Sequence, residues 1–552
     1  MSRLPTALQV AAPLLAALVL LAVLASAWAG RVPYPFDLEW MEGGMLAHAW
    51  RLDRGLPLYV APNPDFVPYV YPPGYAAVVA LLGKIVGLSL PLGRLVSLGS
   101  TIAAAGAIAY GARGAPPGLL LPFAAVFLGT WPQAGAYYDI VRPDALAIAL
   151  MAWAVVVGRE DRRGAPVVAG LLLAAAFLVK HNFALLGVPL ALGIGARDWR
   201  AGVIFAASAA GPALAAVGLL QAWSDGGFLV WLLDVPAAHK MLWERAWVDT
   251  PREWGTALPG AWAGAGLAAV AAAARRHRLP TWITATVPVW AGMAAAWWWT
   301  YEPAPDLALR PTAYGLAYWA LVAIPLALAL DAFGALLERP SWRIAWRTVY
   351  DVGVVGTAGW MALVMRVHDS GYVNVHAPLF WCLALFSADL VARWWQDAPA
   401  LRPLLSAGLT AQLLWSAAQI DVGRLVPTPA DEAAGWELVA AMREVDGPIL
   451  SPFSAWTPTY AGRDPSLHAM GIWDCLYPDG PYFAELDVVE DALREHRWSL
   501  FLAGPHRLLG DPDRYYEEVR VAFPPGDPRM LPQTGFMARP TRLLTPREEW
   551  IP

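Results

Sequence analysis

The sequence predicts an all-α polytopic membrane protein of about thirteen transmembrane helices, ending in a small α/β domain. Composition points there first. The 552 residues are 58% hydrophobic and 15% charged, whereas a soluble domain holds roughly 45–50% apolar and about 25% charged residues. Mean hydropathy is +0.44. Apolar runs recur from residue 8 to residue 420, and basic clusters flank them in alternation. After residue 420 the character changes: 421–552 holds 21 Asp/Glu, 12 Arg and no Lys, with many Pro.

The first run, Ala7 to Ala29, follows Arg3 and ends Ala27-Trp28-Ala29, which resembles a signal-peptidase site. It is long enough to cross a bilayer, which takes about 20 apolar residues, and is read as an uncleaved helix near 8–29 with a cytoplasmic N-terminus. Residues 30–73 are polar and aromatic. The run 74–89 is short and carries Lys84. If it crossed, the Arg-bearing segments 112–117, 159–165, 196–200, 275–279, 333–347 and 392–402 would all face outward. Laid in the interface, it puts all of them on the cytoplasmic side. Loop 30–92 is therefore an outer loop with juxtamembrane helices. The remaining spans fall near 93–111, 118–136, 145–158, 166–180, 182–195, 201–221, 258–274, 280–299, 313–332, 348–365, 375–391 and 403–420. Residues 1–420 thus form the transmembrane domain of a multi-pass protein of the cell (inner) membrane. Residues 421–552 form a soluble extracytoplasmic domain, with helices at 431–445 and 487–497, each followed by a short strand at 448–450 and 498–502.

There is no basic tract with interleaved aromatics, so nucleic acid is not a partner. Cys382 and Cys475 are not expected to pair, and no metal-ligand spacing exists. The chemistry collects in the outer segments. Asp37, Glu39 and Glu42 lie just past the first helix, where burial and mutual repulsion tune a carboxylate toward general-base work; the bland reading is a solvated loop. Asp139, Arg142 and Asp144 bracket Pro143. Asp144 suits a helix N-terminus, and Arg142 suits a phosphate or an ion pair. Lys180-His181 falls between two short spans in a chain with few lysines. Lys180 is a point charge for a phosphate or a snorkelling side chain. Arg366, Asn374 and His376 lie in a polar loop at the mouth of a later span, where three good zinc ligands are not apparent.

Several of these stretches resemble the GT-C superfamily of polyprenyl-phosphate-sugar-dependent glycosyltransferases. The nearest subset is the bacterial family-39-like enzymes, relatives of protein O-mannosyltransferases and aminoarabinose transferases. The resemblance rests on Glu42-Gly43, Ala49, Leu52, Gly55 and Leu58-Tyr59, then Tyr71-Pro72-Pro73-Gly74-Tyr75 and Arg94-Leu95-Val96-Ser97. Arg142-Pro143-Asp144, Lys180, Gly371 and Asn374 extend it. The family sets Asp beside Glu in its first loop; here Met41 stands beside Glu42, so the base stays open among Asp37, Glu39 and Glu42.

The resemblance implies a GT-C-like transmembrane fold and direct displacement at the outer face. A carboxylate (Asp37, Glu39 or Glu42, with Asp144 as the second acid) deprotonates an acceptor hydroxyl, which attacks a sugar carried on polyprenyl phosphate. Arg142, Lys180 and Arg366 would meet the leaving phosphate, and Tyr71, Asp139, His181, Asn374 and His376 would line the substrates. The acceptor is a lipid, glycan or protein hydroxyl. No cofactor is expected; a divalent metal is possible in the wider superfamily but not expected in this branch. The competing readings are a transporter or flippase of lipid-linked sugars and a non-catalytic envelope-assembly protein. Transporters place charges at the bilayer midplane and show repeated halves; here the charges lie at one boundary and no repeat is found.

Overall fold

The computed structural model describes residues 6–247, 249–260, 342–506 and 510–548. Four helices among them are long and apolar enough to cross a membrane: Ala7–Arg31, Leu90–Gly111, Trp199–Trp223 and Val373–Asp397. The protein is a helical bundle with a mixed sheet after it. The spans expected at 280–299 and 313–332, and nearly all of 258–274, lie outside the described residues.

In chain order, α1 is Thr6–Arg31, α2 Glu42–Asp53, α3 Gly74–Val86, α4 Leu90–Gly111 and α5 Pro117–Leu128. Then come α6 Asp144–Gly158, α7 Ala165–Val179, α8 Gly187–Arg197 and α9 Trp199–Trp223. The later helices are α10 Asp249–Ala257, α11 Trp342–Val367, α12 Ala377–Asp397 and α13 Arg402–Ala418. Leu15, Leu18, Val203, Leu214 and Leu219 stay exposed along α1 and α9, the apolar outer surface that lipid would cover.

Two boundaries differ from the hydropathy reading, each for a local reason. The run 118–136 is helical only to Leu128, because Pro132 disfavours the α conformation before it. Residues 129–143 then form an irregular segment across the bundle end. The run 166–195 breaks at Lys180, whose extended backbone (φ −151°) separates α7 from the 3₁₀ turn His181–Leu186 and α8. The apolar helix α3 has 13 residues, about 20 Å at 1.5 Å per residue, less than a full crossing.

The bundle ends are tied by buried ion pairs. At one end Arg159 bridges Asp351 (2.7 Å) and Asp389 (2.8 Å), joining α6, α11 and α12. At the other, which we term the loop end, Arg31 closes α1 onto Asp139 at 2.6 Å and onto the Leu425 carbonyl at 2.7 Å.

Residues after 421 build helices α14 Pro429–Arg443, α15 Ala469–Cys475 and α16 Asp487–Arg494. The strands are β1 Ile449–Leu450, β2 Leu500–Ala503, β3 Tyr516–Val521 and β4 Arg542–Pro546, in the order β1-β2-β4-β3. Strands β1 and β2 are parallel, and the other pairs are antiparallel. Thr428 caps α14 by the reciprocal box with Asp431. The core of this segment is shared with the first loop: Phe36 and Leu38 are buried among Leu438, Met442 and Leu502. Fully burying a Phe contributes roughly 1.5–3 kcal/mol, so Phe36 alone fastens the loop to α14.

Candidate active site

The first loop leaves α1 at Arg31 and re-enters the helical layer at α2, carrying its three carboxylates into different surroundings. Glu42, the first residue of α2, is fully buried. Its Oε1 and Oε2 accept from the Arg94 fork at 2.9 and 2.6 Å, and also from the backbone N–H of Val141 and Leu38. Arg94 further donates to the carbonyls of Arg31, Tyr34 and Phe36. Asp37 accepts from the Gly43 N–H at 2.7 Å. Burial first, and then the Glu42 charge, holds the Asp37 carboxyl well above its usual range.

Glu39 is the first-loop carboxylate that lines the large cavity of the loop end, about 780 Å³ in volume. Its Oε2 accepts from the Met41 N–H at 3.2 Å and lies 3.7 Å from Arg142 Nη1, and the Tyr137 hydroxyl is also held against the carboxylate. Burial lifts its carboxyl to about 7 and Glu42 pushes the same way; Arg142 and the Tyr137 hydroxyl pull against them.

Two cations share the cavity with Glu39. Arg142 donates to the Tyr71 hydroxyl at 2.9 Å, and its Nε has no partner. Lys180 Nζ donates to Asp144 Oδ1 at 2.7 Å. The Tyr71 ring lies between them, 5.4 Å from the Arg142 guanidinium and 5.9 Å from Lys180 Nζ. Asn374 donates to the same Asp144 oxygen at 2.8 Å. The helix break at Lys180 is what turns this side chain off the helical path toward Asp144.

Of the residues expected from sequence, the structure brings Glu39, Tyr71, Arg142, Lys180, His181 and Asn374 to one cavity. The others do not line it. Glu42 and Asp37 face inward to Arg94 and Gly43 and do not line it. Asp139 is consumed by Arg31 and Trp131. Asp144 lies beneath the lining, as the anchor of Lys180 and Asn374. Arg366 is chelated by Glu253 at 2.8–3.2 Å, and His376 Nε2 meets the same carboxylate at 2.6 Å, so they join α10 to α11 and to the start of α12. Against burial, these two partners hold the Glu253 carboxyl down at about 2.

Sequence reasoning missed the far wall. Trp473, Asp474 and Tyr477, from α15 and the residues after it, line the cavity with His239, Arg245 and His368. No motif announced them. Gly535 and Phe536 close the roof over Glu39. The roof is stitched down by the N–H groups of Gln533 and Thr534, which donate to the Leu38 carbonyl at 2.8 and 3.2 Å. Gly535 has φ +73°, and a Cβ there would come within 2.9 Å of Glu39 Cγ and Oε1 and 3.0 Å of the Tyr137 hydroxyl. Gly535→Ala should therefore displace the Glu39 carboxylate. We expect kcat/KM for the cavity's reaction to fall about 10–100-fold, since misplacing a reacting group by 1 Å costs about 10². The thermal melt should move by little more than the roughly 1–2 kcal/mol of left-handed strain. A folded Gly535→Ala protein of full activity would show that the roof does not position Glu39.

Among the described residues, no group of three or more His, Cys, Asp or Glu is arranged to hold a metal ion. No family model matches this chain, and no curated protein sequence does. Among solved structures, the crystal structure of ArnT from Cupriavidus metallidurans bound to undecaprenyl phosphate is similar over 96% of this chain and 97% of that one, at 14% identity and a TM-score of 0.46. The apo state of the same ArnT is similar over 82% and 85%, at 15% identity and a TM-score of 0.37. A likeness of that depth leaves the activity to be argued from the chain's own residues.

Proposed function

We propose that this chain is a GT-C-like membrane glycosyltransferase. In this reading it moves a sugar from a polyprenyl-phosphate carrier to an acceptor hydroxyl, at the extracytoplasmic face of a multi-pass inner-membrane bundle of about thirteen spans. The observation that carries the reading is one cavity lined by a buried carboxylate, which burial lifts to about 7, next to two cations. The Glu39 carboxylate takes the acceptor proton. The acceptor oxygen forms a bond to the anomeric carbon, and the bond from that carbon to the phosphate oxygen breaks. The electron pair leaves on the lipid phosphate, where Arg142 and Lys180 stabilise it. A single displacement of this kind inverts the anomeric centre.

The reaction is metal-independent in this reading. Asp144 is already neutralised by Lys180, and Glu39 faces Arg142, so neither carboxylate is left waiting for a divalent cation. Loss of activity on chelation, restored by Mg²⁺ or Mn²⁺, would overturn that. The whole reading is tested by incubating the purified protein with a panel of polyprenyl-phosphate sugars and measuring lipid-phosphate release. Release of none of them by folded protein sinks it.

The pH dependence has a definite sign. The base must be ionised, so kcat/KM should rise with pH through an acid limb near 7, the value burial gives Glu39 in the free protein. A limb at the ordinary carboxylate position, near 4–5, would assign the base elsewhere.

A further inference from the structure

At about 780 Å³ the cavity is larger than a phosphate needs. The Arg142–Lys180 end is cationic. The other end is built by His239, His368, Trp473, Asp474 and Tyr477, none of which the displacement step uses.

Two side chains at that end are nearly closed off from solvent and yet incompletely bonded. Asp474 is 3% exposed and its Oδ2 has no partner. His239 is 6% exposed, and its Nε2 lies 2.9 Å from the Asp474 carbonyl oxygen, so Nε2 is the nitrogen that carries hydrogen. That leaves Nδ1 as a bare acceptor, and it too has no partner. Buried polar atoms are nearly always satisfied, so a pair of orphans on one cavity wall marks where a ligand makes its bonds.

The surroundings say what kind of ligand. Burial raises the Asp474 carboxyl and lowers His239. Arg245 donates through Nη1 to the carbonyls of His368, Asp369 and Gly371, at 3.1–3.3 Å. Asp369 accepts from the Tyr477 hydroxyl at 2.6 Å. Aromatic faces lie on the same wall: Tyr477 stacks on His239 at 4.6 Å, and Trp473 packs against Trp40 at 5.0 Å. Unpartnered polar atoms beside aromatic rings suit a polyhydroxylated ring, which offers hydroxyls at its edge and C–H groups on its face.

We propose that this end of the cavity is a subsite for one sugar ring, held through its hydroxyls by Asp474 and His239 beside Trp473 and Tyr477. The transferase reading supplies the ring's purpose but not its binding. The ring belongs either to the donor or to a glycan acceptor, and the test separates the two.

The test is ligand-observed NMR on the purified full chain, with methyl glycosides of glucose, galactose, mannose and xylose. Glucosamine and glucuronic acid extend the panel to charged rings. At least one of these sugars should bind. Asp474→Leu and His239→Phe should each weaken it about tenfold or more, a loss of about one hydrogen bond. Asp474→Asn, which keeps a donor and an acceptor, should retain binding. Displacement by a decaprenyl-phosphate-linked sugar, but not by bare decaprenyl phosphate, assigns the ring to the donor; persistence of the glycoside under both assigns it to the acceptor. Failure of every one of these sugars to bind, or unchanged binding in both the Leu and Phe variants, overturns the proposal. Glycoside binding without transfer from any carrier would sink the transferase reading and leave the subsite standing. Transfer without glycoside binding does the reverse.

Discussion

Glu39→Gln is expected to lower sugar transfer by about 10³-fold or more while leaving a folded protein, because general-base catalysis contributes roughly 10²–10⁴ and a buried amide fills the same space. Stability should respond in the opposite sense. The folded Glu39 carboxyl titrates near 7 against an ordinary 4.5, so the native state holds its proton more tightly than the unfolded chain. Wild-type stability therefore declines as pH rises from about 4.5 to about 7, and the glutamine variant escapes that decline. Its melting temperature relative to wild type should climb across this window and stay level above it. Glu42→Gln makes the contrast. It strips the Arg94 fork of its counter-charge at a site with no solvent, and breaking a buried pair from one side costs about 3–5 kcal/mol. We expect poor yield and a low melting temperature there. A well-folded but inactive Glu42→Gln beside an active Glu39→Gln would move the base to Glu42.

That contrast also shows where sequence stops being informative. Eight of the expected spans, at 8–29, 93–111, 145–158, 166–180, 201–221, 348–365, 375–391 and 403–420, are helices in the structure, because long apolar runs have few other uses. The interfacial treatment of 74–89 rested on arginine placement, and the helix found there is Gly74–Val86. Glu39 and Glu42 are another matter. They lie three residues apart in one loop, and nothing local separates a base from a structural anchor. The separation is made by Arg94, 52 positions along, whose fork takes Glu42 and leaves Glu39 to the cavity. Arg366 and Asp139 looked like site residues for the complementary reason. Each is a charge at a helix end, and only the tertiary partner, Glu253 or Arg31, reveals that it is spent. Asp474 and Gly535 had no spacing to betray them, since they are brought to the cavity by the packing of the C-terminal segment onto the first loop, and His239 reaches Asp474 only across 235 positions.

Arg142→Gln should act twice, and the two effects can be read apart. The loss of one preorganised donor to the leaving phosphate is expected to cost about 10²–10³ in kcat. The same guanidinium is the largest influence holding the Glu39 carboxyl down against burial. Without it the carboxyl should titrate higher, so the acid limb of kcat/KM should move to a pH above 7 and the activity lost at neutral pH should be partly regained at alkaline pH. Lys180→Met isolates the first effect. Lys180 is paired with Asp144 rather than with Glu39, so transfer should weaken while the limb stays in place. Arg142→Lys should keep the limb near 7, since a cation remains, yet recover kcat only in part, because an ammonium cannot bond Tyr71 and a phosphate through one planar fork. If Arg142→Gln slows transfer without moving the limb, the ionisation that governs the rate is not that of Glu39, and the base and the phosphate cation are not the adjacent pair that their 3.7 Å separation makes them.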